Sequence, residues 1–210
     1  MSAFSAKDIK VMSVEFLFRT AFWIVFGGML MLQVWFAFQS RQTEAGRAAK
    51  RVDRDEGWGH TFVRAGRALS LVVFLVIFAI DSPLVGVLGV PLPDWLRGIG
   101  IVIGIASLVL YAWARAALGK EWSSSLQVRE QQHLVTTGPY ARIRHPIYSA
   151  LIGFMIGITL ITANWFLVAF FAISYVDLCL RIPKEEQMMI AEFGEDYIIY
   201  MQRTGRLLPK

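Results

Sequence analysis

A chain of 210 residues that is 56% hydrophobic and only 18% charged, with a mean hydropathy of +0.51, has the length of one domain but is too apolar for a soluble globule. Its net charge of +5 sits in polar stretches between apolar runs. That placement fits positive-inside bias and anionic lipid, and removes the case for a nucleic-acid partner. The single cysteine, Cys179, excludes an internal disulfide and the usual multi-cysteine metal sites. The chain reads as an all-α, multi-pass integral membrane protein.

Residues 1–15 form a polar lead without the small-residue pattern of a cleaved signal. Residues 20–38 are then apolar apart from Gln33, close to the roughly twenty residues that a span requires. Residues 39–67 are polar, and their basic excess marks a cytoplasmic loop. A shorter apolar run from residue 68 is interrupted at Asp81-Ser82-Pro83 and resumes to residue 90. It is either one kinked span or a span followed by a re-entrant piece. Pro91, Pro93 and Asp94 break the chain on the outer side, where Trp95 is placed as an interfacial anchor.

Residues 98–118 make the next span, with Gly98, Gly100 and Gly104 spaced for close helix packing. The following loop carries Lys120, Arg129, Arg142 and Arg144 and so lies inside. Residues 147–182 are apolar except at Thr162-Ala163-Asn164, which predicts an antiparallel hairpin of two helices reaching about 25 Å each. From Pro183 onward, Met189, Phe193, Tyr197 and Met201 recur every fourth residue, the spacing of an amphipathic helix on the membrane or over a site. The expected architecture has about five transmembrane helices, with the N-terminus outside and the C-terminus inside. It divides into three N-terminal spans over 1–119 and a C-terminal core over 120–210.

Both ends of the last hairpin are polar and lie on one side of the membrane. Arg144, His145 and Tyr148 enter it, and Arg181, Glu185 and Glu186 leave it, with Glu185 one helical turn after Arg181. Singly, such residues are explained by snorkelling, aromatic belts and helix dipoles. Together they are not, because lipid anchoring calls for neither His145-Pro146 nor two adjacent carboxylates.

The segments Gln132-His-Leu-Val135, Gly138-Pro-Tyr140, Arg144-His-Pro-Ile-Tyr148 and Arg181-x-x-x-Glu185-Glu186 resemble the signature of the isoprenylcysteine carboxyl methyltransferases. Phe193-Gly194, Tyr197, Tyr200 and Pro209 match that family's tail, and the phospholipid methyltransferases share much of the pattern. The resemblance covers about residues 124–209. It implies methyl transfer from S-adenosyl-L-methionine with no metal. It further implies a cofactor site of Gln132, His133, Leu134, Val135, Tyr140, His145, Tyr148 and Glu185, with Arg181 on the substrate side.

The residue types suit that chemistry. A carboxylate such as Glu185 can take the donor's ammonium or ribose hydroxyls, and Tyr140 and Tyr148 can meet its sulfonium or adenine. A carboxylate acceptor needs a cation, which Arg181 supplies. An amine or thiol acceptor needs a proton acceptor instead, for which Glu186 and His145 are candidates. The expected partners are a lipophilic or lipidated substrate from the bilayer and membrane lipids. The cofactor site is expected on the cytoplasmic face of a plasma, inner or endoplasmic reticulum membrane. An NADPH-dependent reductase of the sterol type and a non-enzymatic membrane scaffold are the competing readings.

Overall fold

The computed structural model describes residues 6–41, 58–80, 82–119 and 133–210, and these are almost wholly helical. The helices are α1 (Ala6–Arg41), α2 (Trp58–Ala79), α3 (Pro83–Val87), α4 (Asp94–Leu118), α5 (Pro146–Thr162), α6 (Trp165–Phe193) and α7 (Glu195–Arg203), with a 3-10 turn at Gly138–Ala141. Three stretches are long and apolar enough to cross a membrane: Ser13–Gln39 of α1, all of α4 and all of α6. The apolar part of α2, Gly66–Ala79, and α5 are shorter. The five expected apolar helices are therefore present among the described residues, three of them at full spanning length. Large side chains such as Met31, Val102, Val109 and Leu180 point outward, as a lipid-facing surface requires. The protein is an integral membrane protein.

Two helix boundaries differ from the sequence reading. The polar lead is helical from Ala6, so α1 begins well before the apolar run. At the other end, α6 does not stop at Ile182 but continues through Pro183 to Phe193. An internal proline costs a helix about 3 kcal/mol, and the turn after it is tied to other segments by the ion pairs of Glu186 with Arg144 and Arg206 and by the Tyr148 hydroxyl on Glu185. The helix breaks instead at Gly194, whose φ of 54° suits a residue without Cβ. The four-residue repeat is thereby split, with Met189 and Phe193 in α6 and Tyr197 and Met201 in α7.

Residues 68–90 are not one kinked span. Helix α2 ends at Ala79, and α3 starts at Pro83 with Ser82 Oγ accepting from the Leu84 amide. The chain then lies across the hairpin turn: the Trp165 amide donates to Leu88 O at 2.8 Å, and Asn164 Nδ2 to Val85 O at 3.1 Å. That turn forms where expected. Ala163 adopts a left-handed conformation, and Asn164 caps α6 by accepting from the Phe166 amide at 2.9 Å.

Helices α4 and α5 approach closely enough to exclude side chains between them. A Cβ on Gly157 would lie 2.8 Å from the Gly104 amide nitrogen, and one on Gly100 2.9 Å from Gly157 O. Without a hydrophobic driving force between helices in lipid, such close backbone packing is a main source of association. Gly98, in contrast, has open space around it. Near the start of α4 Arg97 ties three helices: its Nε donates to Ile161 O at 3.0 Å, its Nη1 to Glu15 Oε2 at 2.8 Å, and its guanidinium lies over the Phe18 ring. Phe22, Met29, Phe78, Phe154 and Ile158 fill the core between them.

Replacing Gly157 with Leu is expected to destabilise the bundle by about 3 kcal/mol, because the α4 backbone cannot yield. Thermal unfolding in detergent should show a clearly lowered midpoint for Gly157→Leu and an unchanged one for Gly98→Ala. Equal midpoints would contradict this packing.

Candidate functional site

The entrance to α5 is fixed by backbone pairing with the C-terminal tail. The Arg144 amide donates to Gly205 O at 2.8 Å, the Gly205 amide to Arg142 O at 3.0 Å, and the His145 amide to Arg206 O at 3.1 Å. Ser149 Oγ donates to Leu207 O, and the Tyr200 hydroxyl to Tyr140 O at 2.7 Å. Arg144 Nη1 caps the end of α7 by donating to the carbonyls of Met201 (2.9 Å) and Thr204. The tail is thus seated over the mouth of the α5–α6 hairpin.

At the centre of this seating lies Glu186, only 4% exposed. Its Oε1 accepts from Arg144 Nε at 3.1 Å and from Arg206 Nε at 3.2 Å, and its Oε2 accepts from Arg206 Nη2. His145 Nε2 stands 3.4 Å from Glu186 Oε1 without a geometry that makes a hydrogen bond.

Glu185 faces elsewhere, because successive helix residues are turned by about 100°. Its Oε1 accepts from the Tyr148 hydroxyl and from Arg181 Nε at 2.8 Å, and its Oε2 is 3.9 Å from His145 Nδ1. The His145 and Tyr148 rings stack with centroids 5.6 Å apart. The Glu185 side chain is 22% exposed and that of Arg181 43%, so this second cluster is open where the Glu186 cluster is closed. Tyr140, in the 3-10 turn, is buried and interacts electrostatically with Glu185, Tyr148 and Arg115.

Burial dominates the ionisation of the groups outside the spans. It pushes the Tyr140 and Tyr197 phenols well above their usual range and that of Tyr200 up to about 12. It also lowers His145, although Glu185 and Glu186 pull the other way. The imidazole is therefore neutral at physiological pH.

The structure brings Tyr140, His145, Tyr148, Arg181 and Glu185 into one cluster and sets Glu186 beside it in the arginine network. His133, Leu134 and Val135 stay upstream in an irregular stretch, His133 exposed and the other two half-buried. Gln132 lies outside the described residues. Three arginines were not anticipated as site residues. Arg144 was legible as a basic residue at a hairpin end and as the first residue of the Arg144-His-Pro-Ile-Tyr148 segment, without a role of its own, and Arg206 carries no local signal at all. Arg115 is buried in the last turn of α4, over the Phe36 ring and near Tyr111 and Tyr140. A lone ionisable residue within an apolar run was the available signal for it.

Residues 99–191 match the model of the isoprenylcysteine carboxyl methyltransferase (ICMT) family. The chain is 29% identical over 118 residues to protein-S-isoprenylcysteine O-methyltransferase B of Arabidopsis thaliana, and 32% over 118 residues to the protein-S-isoprenylcysteine O-methyltransferase of Tribolium castaneum. Each match takes in 55% of this chain, but 60% of the plant protein and 42% of the beetle one. The chain thus spans about three fifths or less of these relatives. A solved structure of the eukaryotic intramembrane Ras methyltransferase ICMT has the same fold, with a TM-score of 0.57 at 24% identity, over 90% of this chain and 67% of that one. The helical hairpin with polar ends, its tail and these matches agree, and over residues 99–191 the chain resembles the isoprenylcysteine carboxyl methyltransferase family.

Proposed function

We propose that this protein is an S-adenosyl-L-methionine-dependent methyltransferase that methylates a lipophilic acceptor, the carboxylate of an isoprenylcysteine-like substrate, at the cytoplasmic face of its membrane. The observation that carries this reading is the open Arg181–Glu185–Tyr148–His145 cluster at the mouth of an apolar hairpin. Its donor set fits the cofactor: a partly exposed carboxylate for an ammonium or hydroxyls, stacked rings that offer a face to a cation or a base, and an uncharged imidazole that does not repel a sulfonium. Together with Tyr140 and the segment from Gln132 to Val135, these residues would hold it.

When bound, S-adenosyl-L-methionine supplies a methyl group already activated on a positively charged sulfur. The task left to the chain is to align an acceptor oxygen with that carbon and to exclude water. Arg181 is held by Glu185 through its Nε at the polar end of the hairpin, and its guanidinium suits a carboxylate carried on a lipid tail. A carboxylate acceptor reacts without losing a proton, so no general base is required. This agrees with the engagement of Glu186, whose two oxygens are taken by Arg144 and Arg206. In this reading Glu186 is a positioning residue that seats the tail, not the proton acceptor considered from the sequence.

Calorimetric titration of the detergent-purified protein with S-adenosylhomocysteine tests the cofactor assignment. Saturable binding is expected in the wild type, weakened at least about tenfold in Glu185→Gln, which loses a charged hydrogen-bond acceptor. Arg181→Ala should keep that binding yet lose on the order of a hundredfold in kcat/KM toward a prenylated cysteine carboxylate. A wild type that binds NADPH but not S-adenosylhomocysteine would move the reading to a reductase.

His145 also makes the fold pH-sensitive. Its folded-state pKa lies below the ordinary value, so the unfolded chain takes up the proton first as pH falls. Its contribution to stability is complete above the ordinary histidine value of about 6.5 and is lost on acidification. Thermal midpoints measured from about pH 7.5 to about pH 5.5 should fall for the wild type and fall less for His145→Asn, which places a favourable N-cap residue without a titrating ring at the head of α5.

A further inference from the structure

Beyond Gly194 the chain forms a piece that is closed on itself. Lys210 Nζ donates to Gln202 O at 2.6 Å, and the turn at Gly205 is so tight that a Cβ there would collide with the Leu208 carbonyl. Of residues 195–210 only Tyr197, Tyr200 and Thr204 are buried, and each of these carries a hydroxyl. Gly194 joins this piece to α6 with φ 54° and ψ −124°, a conformation for which glycine is suited, and a Cβ on it would meet nothing within 4 Å. An uncrowded glycine between two helices is able to absorb a change of backbone angle.

The hydrogen bonds that seat the piece run to residues 140–149, the stretch that holds Tyr140, His145 and Tyr148. From α6 it is met by Glu186, whose two cations differ in their surroundings. The Arg144 side chain is 9% exposed and that of Arg206 51%. Arg206 can therefore move out into water while Arg144 stays, so that Glu186 is never left as a buried carboxylate without a counter-charge. The contact with Arg206, made through Nε and Nη2 to both carboxylate oxygens, is the part of this network that opens at least cost.

We propose that residues 195–210 are a strap hinged at Gly194 and latched by Arg206 on Glu186, and that Arg206 is by this means a positioning residue for the methyl donor. The closed latch holds the backbone at residues 142–145, and with it Tyr140 and His145, in the arrangement that receives the donor. The inference rests on the donor site set out under Proposed function. Arg206 touches no donor atom and acts through the strap. Coupling between two equilibria is reciprocal, so a bound donor favours the closed latch by the same factor by which the latch favours the donor.

The test combines calorimetric titration of the full chain in detergent with S-adenosylhomocysteine and hydrogen exchange at the Arg144, His145 and Gly205 amides, which form the strap pairing. In the wild type these amides should exchange about tenfold more slowly once the ligand is saturating. In Arg206→Gln they should exchange about tenfold faster without ligand, and S-adenosylhomocysteine should bind about tenfold more weakly. Arg206→Lys, which keeps the charge but not the planar fork, should fall between the two proteins in both quantities. Ser149→Ala removes one hydrogen bond to the strap, at Leu207, and should shift both quantities in the same direction by about threefold. It decides the matter if Arg206→Gln does not fold. Faster exchange with unchanged affinity, the mark of a tail seated for structure alone, would overturn the proposal, and so would unchanged exchange in the variants. A wild type that does not bind S-adenosylhomocysteine overturns the donor reading and this one with it; wild-type binding with indifferent variants overturns this one alone.

Discussion

A carboxylate 4% exposed in an apolar bundle has to be met by cations, and Glu186 is met by two. Arg144 reaches it from the chain entering the hairpin and Arg206 from the C-terminal tail, so one side chain of α6 joins three segments distant in sequence. Such a buried cluster adds little net stability, because desolvating the charges offsets most of their attraction. Its effect is on arrangement. With both guanidiniums committed, the tail at residues 204–207 pairs with residues 142–145, and this pairing fixes His145 at the head of α5.

The neighbouring glutamate shows how one helix separates two tasks. Glu185 and Glu186 are adjacent, yet the turn of the helix sends one to Tyr148 and Arg181 and the other into the arginine network. His145 stands between them, uncharged, with its imidazole near a carboxylate on either side. The structural cluster thereby holds the rings and carboxylate of the chemical one in place without occupying them. The extension of α6 through Pro183 is what carries both glutamates to this position.

Rigidity behind the site comes from the α4–α5 contact. Backbone-to-backbone packing at Gly100, Gly104 and Gly157 leaves little room for sliding, and Arg97 and the α3 segment secure the turn end of the hairpin. The opposite end, by comparison, is closed by polar contacts between the α5 entrance, α6 and the tail. The hairpin is thus firm and apolar, with a polar mouth. The Arg67–Asp177 pair extends that polarity one turn further into the membrane along α6.

Much of the architecture was legible in the residues. Apolar runs, the Thr162-Ala163-Asn164 reversal and the paired polar ends of the hairpin follow from composition and spacing, because burial in lipid imposes a coarse periodic demand on each segment separately. The residues of the open cluster were legible through their motif and the antiparallel geometry that brings residue 145 beside residue 185. What the tertiary structure decided depends on segments with no local relation. Glu186 faces inward because Arg206, some twenty residues on, folds back over it; α6 passes Pro183 because distant arginines hold the next turn; and Asp177 pairs with α2 instead of with the arginine one turn away. Sequence spacing ranks contacts within a helix. The choice among several oppositely charged partners depends on which of them the packed bundle brings within reach, and only the assembled chain sets that.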